Sequence, residues 1–162
     1  MGRPQPAGAG RFCAVRQPLS CHDWWDRLES GKPPFPDLLI DGRDGDRAVA
    51  IFERLRIPDV SGNPPIAAGG DYWFSPIVRA AFGALDDSGS RLIREIFCMV
   101  PKKNAKTTNA AALGVTALLM NERPKADMLI VAATQKIAET GFRQAQGIVE
   151  ADAFLSKRFH IQ

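Results

Sequence analysis

A short apolar run, a basic loop and a helix of small residues follow one another between residues 96 and 121. This order constrains the fold more than any other feature of the chain. Ile96, Phe97, Cys98, Met99 and Val100 form the run, fit for a buried strand. The loop reads Pro101-Lys102-Lys103-Asn104-Ala105-Lys106. Residues 107–121 then place Ala110, Leu113, Ala117 and Met120 on one helical face. A loop that leaves a strand and opens a helix is a place to cradle phosphates. The pattern G-x-x-x-x-G-K-[ST] wraps them in backbone N–H groups, and the helix N-terminus adds its positive dipole end. Here Val100 and Ala105 hold the two glycine positions, while Lys106-Thr107 is intact. Glycine permits φ > 0 and close backbone approach. Alanine is the smallest replacement, and Val100 is tolerable where it simply ends the strand and the turn begins at Pro101. On spacing alone two readings stand. In one, Lys106 reaches phosphates, the Thr107 hydroxyl is a Mg²⁺ ligand, and Lys102 and Lys103 add positive charge at the mouth. In the other, the loop is a basic surface turn and Lys106 is merely solvated.

The rest of the chain predicts the frame. Residues 128–133 form a second apolar run, and residues 135–150 a helix with Ile137, Phe142, Ala145 and Ile148 apolar. The order strand–loop–helix–strand–helix predicts an α/β fold: a partial P-loop NTPase sheet, βαβα with parallel strands, preceded by a helical N-terminal segment. Residues 1–18, rich in Gly, Pro and Ala, read as a disordered leader; 19–90 as the helical segment; 91–162 as an incomplete ATPase core. Within 19–90, a short helix opens at an N-cap Ser20 with Asp23 in its first turn and Trp24, Trp25 and Leu28 apolar. A second helix is expected over 46–56, with Ala48, Ile51, Phe52 and Leu55 at helical spacing, and a third over 75–85. Residues 41–46 read as a solvated acidic turn, because the register of a calcium loop is absent.

Composition excludes some functions without choosing one. A net charge of +3 neither demands nor forbids a nucleic-acid partner. No apolar run approaches the ~18 residues of a membrane span, and the N-terminus has no apolar core for a signal peptide. Cys13, Cys21 and Cys98 are odd in number and unrelated in spacing, which favours free thiols over a metal site with His22. Neither His22 nor His160 has a partner in a catalytic motif.

At residues 100–108, VPKKNAKTT, the chain resembles the large terminase subunits of tailed bacteriophages, ATP-driven motors that package DNA. Their deviant Walker A loop reads V-P-[RK]-K-N-[GA]-K-[ST]. The likeness extends to AVAIFERL (48–55), GNPPI (62–66), the segment 71–85 ending AFGAL, the run 91–100 and IVAATQ (130–135). Together these cover roughly residues 20–155. The resemblance implies that Lys106 binds the phosphates of ATP and Thr107 the Mg²⁺. Pro101, Asn104, Ala105 and Thr108 complete the loop around the nucleotide. Lys102 or Lys103 stands where the family has a basic residue proposed to sense the γ-phosphate. Trp73 matches the Trp of the family's P-W-Q. Phe74 replaces the glutamine that reads adenine, so it either stacks on the base or, with Trp73, packs in the core.

The same resemblance implies double-stranded DNA, a portal protein and a small terminase subunit as partners, a possible homo-oligomer, no membrane, and the bacterial host cytoplasm as location. DNA contact would be sequence-independent and salt-sensitive. A P-loop ATPase also needs an acid that helps to hold Mg²⁺, normally at the end of a later strand. The run 128–133 is followed by Thr134 and Gln135, and Leu38-Leu39-Ile40-Asp41 lies upstream of the loop. The expectation is therefore the N-terminal part of a terminase large subunit, without its nuclease domain, that alone hydrolyses no ATP measurably and is marginally stable or oligomeric. The alternative is a non-catalytic module that binds DNA or a partner protein through the basic loop.

Overall fold

The computed structural model describes residues 21–32, 37–69, 73–124 and 126–161. The chain divides into two compact units, Met1–Pro36 and Asp37–Gln162. The expected leader and the Ser20 cap lie outside the described residues. In the first unit, helix α1 spans Trp24–Glu29. Arg27 bridges back to Asp23 at 3.0 Å, and the Trp25 indole N–H donates to Glu29 at 2.9 Å. Trp24 and Trp25 meet edge to face, yet no residue of α1 is buried.

The second unit is helical: α2 (Gly42–Arg54), a 3₁₀ turn (Ile66–Gly69), α3 (Ser75–Gly83), α4 (Lys106–Met120), α5 (Gln135–Glu150) and α6 (Leu155–Arg158). The expected parallel sheet is not formed. Among the described residues the β contacts are two isolated antiparallel bridges, Arg56 with Pro65 and Leu85 with Arg91. Residues 93–100 and 126–132 have no regular secondary structure, and no backbone–backbone hydrogen bond among the described residues ties either to a neighbour. Phe97 and Leu129 are 91% and 86% exposed. The physical reason lies in what an apolar run encodes. It favours extended backbone and burial, but a strand exists only when another strand accepts its N–H and C=O groups. Neither run finds such a partner among the described residues, so neither is a strand.

Helix α2 begins four residues earlier than its apolar spacing suggests. Asp41 is its N-cap: the carboxylate accepts from the Arg43 N–H at 2.8 Å and the Asp44 N–H at 3.3 Å. The acidic stretch read as a turn is therefore the first turn of a helix, where acids also suit the dipole. Ala48 and Phe52 face inward, and α2 packs against both α3 and α4. Glycines bring α2 and α3 close together. A Cβ on Gly83 would meet the Asp41 carbonyl at 2.8 Å and Gly45 Cα at 3.0 Å, so no larger residue fits that crossing. The Asp41 N–H donates to the Gly83 carbonyl there, at 2.7 Å.

One core joins these helices. It holds Phe52, Ile66, Phe74, Val78, Ala112, Val115, Ile148 and Leu155. Helix α4 buries most deeply a face other than the one its spacing suggested, of which Leu113, Ala117 and Met120 are only partly buried against the core. Its buried residues are Thr108, Asn109, Ala111, Ala112, Val115 and Thr116, while Ala110 is exposed. The helix is apolar or small on nearly every side, so periodicity does not select a face. Of the polar residues on the buried side, Thr116 is satisfied within the helix, donating to the Ala112 carbonyl at 2.8 Å. Helix α5 lies against α4 and buries only its C-terminal half, Ile148 and Val149. Ile137 and Phe142 remain 58% and 50% exposed.

Candidate functional site

The loop 101–105 enters α4 through left-handed backbone. Lys103 has φ 69° and Ala105 φ 50°, whereas Val100 is not in this region. The two lost glycines are thus unequal. Position 105 needs positive φ and accepts alanine; position 100 needs none. Ala105 is the N-cap of α4 and its side chain caps nothing. The first helical bond runs from the Asn109 N–H to the Ala105 carbonyl, at 2.9 Å. The preceding N–H groups of the first turn therefore have no intrahelical acceptor and, with the helix dipole, favour an anion.

Lys106 is both the first residue of α4 and a staple across the loop. Its Nζ donates to the Val100 carbonyl at 2.7 Å and the Pro101 carbonyl at 2.9 Å. The Asn104 side-chain amide donates to the same Pro101 carbonyl at 3.3 Å. An ammonium has three N–H donors, so one of Lys106 remains for a ligand. Lys102 and Lys103 are exposed, and neither makes an ion pair among the described residues. Thr107 is exposed beside them, but Thr108 is only 8% exposed and turns inward.

The aromatic pair divides its roles. Phe74 is 4% exposed and stacks on Phe52, with ring centroids 5.7 Å apart. Trp73 meets Phe74 edge to face at 5.2 Å and is 42% exposed. Of the two, Trp73 alone offers a ring face outward. No ring contact, hydrogen bond or ion pair joins Trp73 or Phe74 to the loop among the described residues; α3, which they precede, and the loop's helix, α4, both pack on α2.

Residues 73–160 match the family model for the terminase large subunit, ATPase domain. The chain belongs to this family. The match spans more than half the chain and takes in Trp73, the loop, α4 and α5. Comparison with curated proteins gives no match, and comparison with solved structures gives none. Membership makes the chain's role a terminase ATPase one, in DNA packaging. Among the described residues no helix is long and apolar enough to cross a membrane, and no cluster of His, Cys, Asp or Glu could hold a metal ion.

Sequence reasoning missed one group that the terminase loop touches. Gln144 of α5 donates from its side-chain amide to Thr108 Oγ1 at 3.1 Å and to Asp59 Oδ1 at 3.4 Å. A signal was present: Gln144 is a polar residue on the helical stripe that runs from Ile137 to Ile148.

Proposed function

We propose that residues 100–108 bind the phosphates of ATP, and that in the packaging motor this binding powers movement of double-stranded DNA. The observation that carries the reading is the uncapped start of α4. Two left-handed residues, Lys103 and Ala105, turn the loop into a helix whose first-turn N–H groups have no side-chain cap. Anions suit such a terminus, and small side chains let phosphate approach the backbone. In this reading the N–H groups of residues 105–108 take the phosphates, helped by Asn104 and Pro101, which shape the turn. The free donor of Lys106 adds a charge-assisted bond. Lys102 or Lys103, exposed and without an ion pair among the described residues, offsets charge that gathers on the γ-phosphate. Trp73 supplies the ring for the base, since Phe74 is committed to the core.

Mg²⁺ would supply charge neutralisation between phosphate oxygens. The exposed Thr107 hydroxyl fits as one of its ligands, and the phosphates and water would provide others. Portal protein and small subunit are expected partners of the assembled motor on family grounds.

Binding, rather than turnover, isolates the loop. Titration of the chain with ATP, with and without Mg²⁺, is expected to saturate and to weaken at least tenfold in Lys106→Ala, the loss of about 1.4 kcal/mol or more. Identical curves for the two proteins would remove the phosphate-loop assignment. Titration with duplex DNA serves the alternative reading. DNA affinity that falls in Lys102→Ala/Lys103→Ala, with no ATP binding, favours the basic-loop module.

A further inference from the structure

Gln144 bonds the first turn of α4 from another element, and it bonds a second loop at the same time. That second loop, residues 55–66, is tightly held. Leu55 accepts from the Ile66 N–H at 2.8 Å, and Pro64 accepts from the Ile57 N–H at 2.9 Å. Asn63, at φ 43°, donates its amide to the Ile57 and Pro58 carbonyls. The loop is also pressed onto α5. A Cβ on Gly147, one turn after Gln144, would come within 2.7 Å of Pro58 Cβ. Asp59 is thus held at a fixed place beside α5. The two hydrogens of the Gln144 amide match its two acceptors, one on Asp59 and one on Thr108. Thr108 is one residue past Thr107 and lies within the first turn, whose N–H groups have no intrahelical acceptor.

We propose that Gln144 is a positioning residue for the phosphate loop: it ties Thr108 to the Asp59 loop and holds the first turn of α4 in binding geometry. The inference rests on the phosphate-loop reading above. Gln144 itself touches no phosphate. It acts by setting where the N–H groups of residues 106–108 point, because Thr108 lies in that same first turn. It also makes the loop sensitive to events at residues 57–63, since Asp59 holds the other half of the same amide.

The test uses the full chain with ATP and Mg²⁺. In Gln144→Met, which keeps the bulk and removes both donors, ATP affinity is expected to fall roughly three- to tenfold, the scale of one lost hydrogen bond. Gln144→Glu, which sets a carboxylate against Asp59, is expected to bind more weakly still. Adding Asp59→Asn in that background restores a donor–acceptor pair and is expected to recover most of the loss. Ile148→Val thins the same α4–α5 interface without touching the amide. It is expected to lower the melting temperature while leaving ATP affinity within twofold. Unchanged affinity in Gln144→Met, no recovery on adding Asp59→Asn, or an equal affinity loss in Ile148→Val would each overturn the proposal. Should the wild-type chain show no Lys106-dependent ATP binding, the phosphate-loop reading fails separately. Amide hydrogen exchange then decides the positioning role. Faster exchange at residues 107–110 in Gln144→Met and in Gln144→Glu, slowed again when Asp59→Asn is added to the latter, upholds it. Unchanged exchange there overturns it.

Discussion

Ala105 carries the sharpest conflict between residue and backbone. Its φ of 50° and ψ of 28° lie in the left-handed region, where a Cβ crowds the following carbonyl at a cost of about 1–2 kcal/mol. Ala105→Gly removes that crowding but returns freedom to the unfolded chain, worth about 0.5–1 kcal/mol against it. The net expectation is a gain of a few tenths to about 1 kcal/mol, read as a higher denaturant midpoint with an unchanged slope. A fall in the midpoint would show that the left-handed strain is relieved by some other contact. At this scale the sequence was readable where chemistry alone decides. The positions of the Lys-Thr pair in the chain are plain, and the absence of positive φ at Val100 agrees with a position that needs no glycine. What Phe74 does was not readable, because stacking on a ligand and stacking on Phe52 ask for the same side chain.

Among the elements, helices with a one-sided apolar stripe and a clear cap were legible. Helix α5 is observed over Gln135–Glu150, the span its pattern predicts, with Thr134 capping the Ile137 N–H. Helix α2 was half legible. Its apolar spacing was plain, but Asp41-Gly42 looks the same as a turn or as a cap followed by a helix until the chain ahead is known to fold back. The cap is therefore worth testing. Asp41→Ala removes the acceptor for two N–H groups and is expected to cost about 1 kcal/mol of stability, seen as a lower melting temperature. An unchanged melting temperature would mean that the Asp41 backbone bond to Gly83 holds the helix start unaided. Helix α4 was legible in extent but not in orientation. Apolar or small residues on nearly every side leave its buried face to be chosen by its neighbours, α5 and α2.

For the whole molecule, the missing sheet follows from a limit on local reading. Two runs of the right composition are present, but pairing is a relation between segments, and neither run records which partner it needs. In their place, Phe97, Met99, Leu129 and Val131 stand 84–91% exposed. Apolar surface of this kind favours association and is not used to hold the fold. Phe97→Lys and Val131→Lys together are thus expected to leave the melting temperature within about 2 °C, as surface changes do. The same pair should raise the concentration at which the chain stays monodisperse in light scattering. A large loss of melting temperature would mean that these side chains contribute to the core after all. The staple made by Lys106 has a different kind of consequence. A loop whose carbonyls are already drawn together by its own ammonium has surrendered its freedom during folding. If the loop binds phosphates as proposed, the nucleotide meets a receptacle already closed, and its heat of binding is expected to report phosphate contacts with little ordering of the chain beneath them.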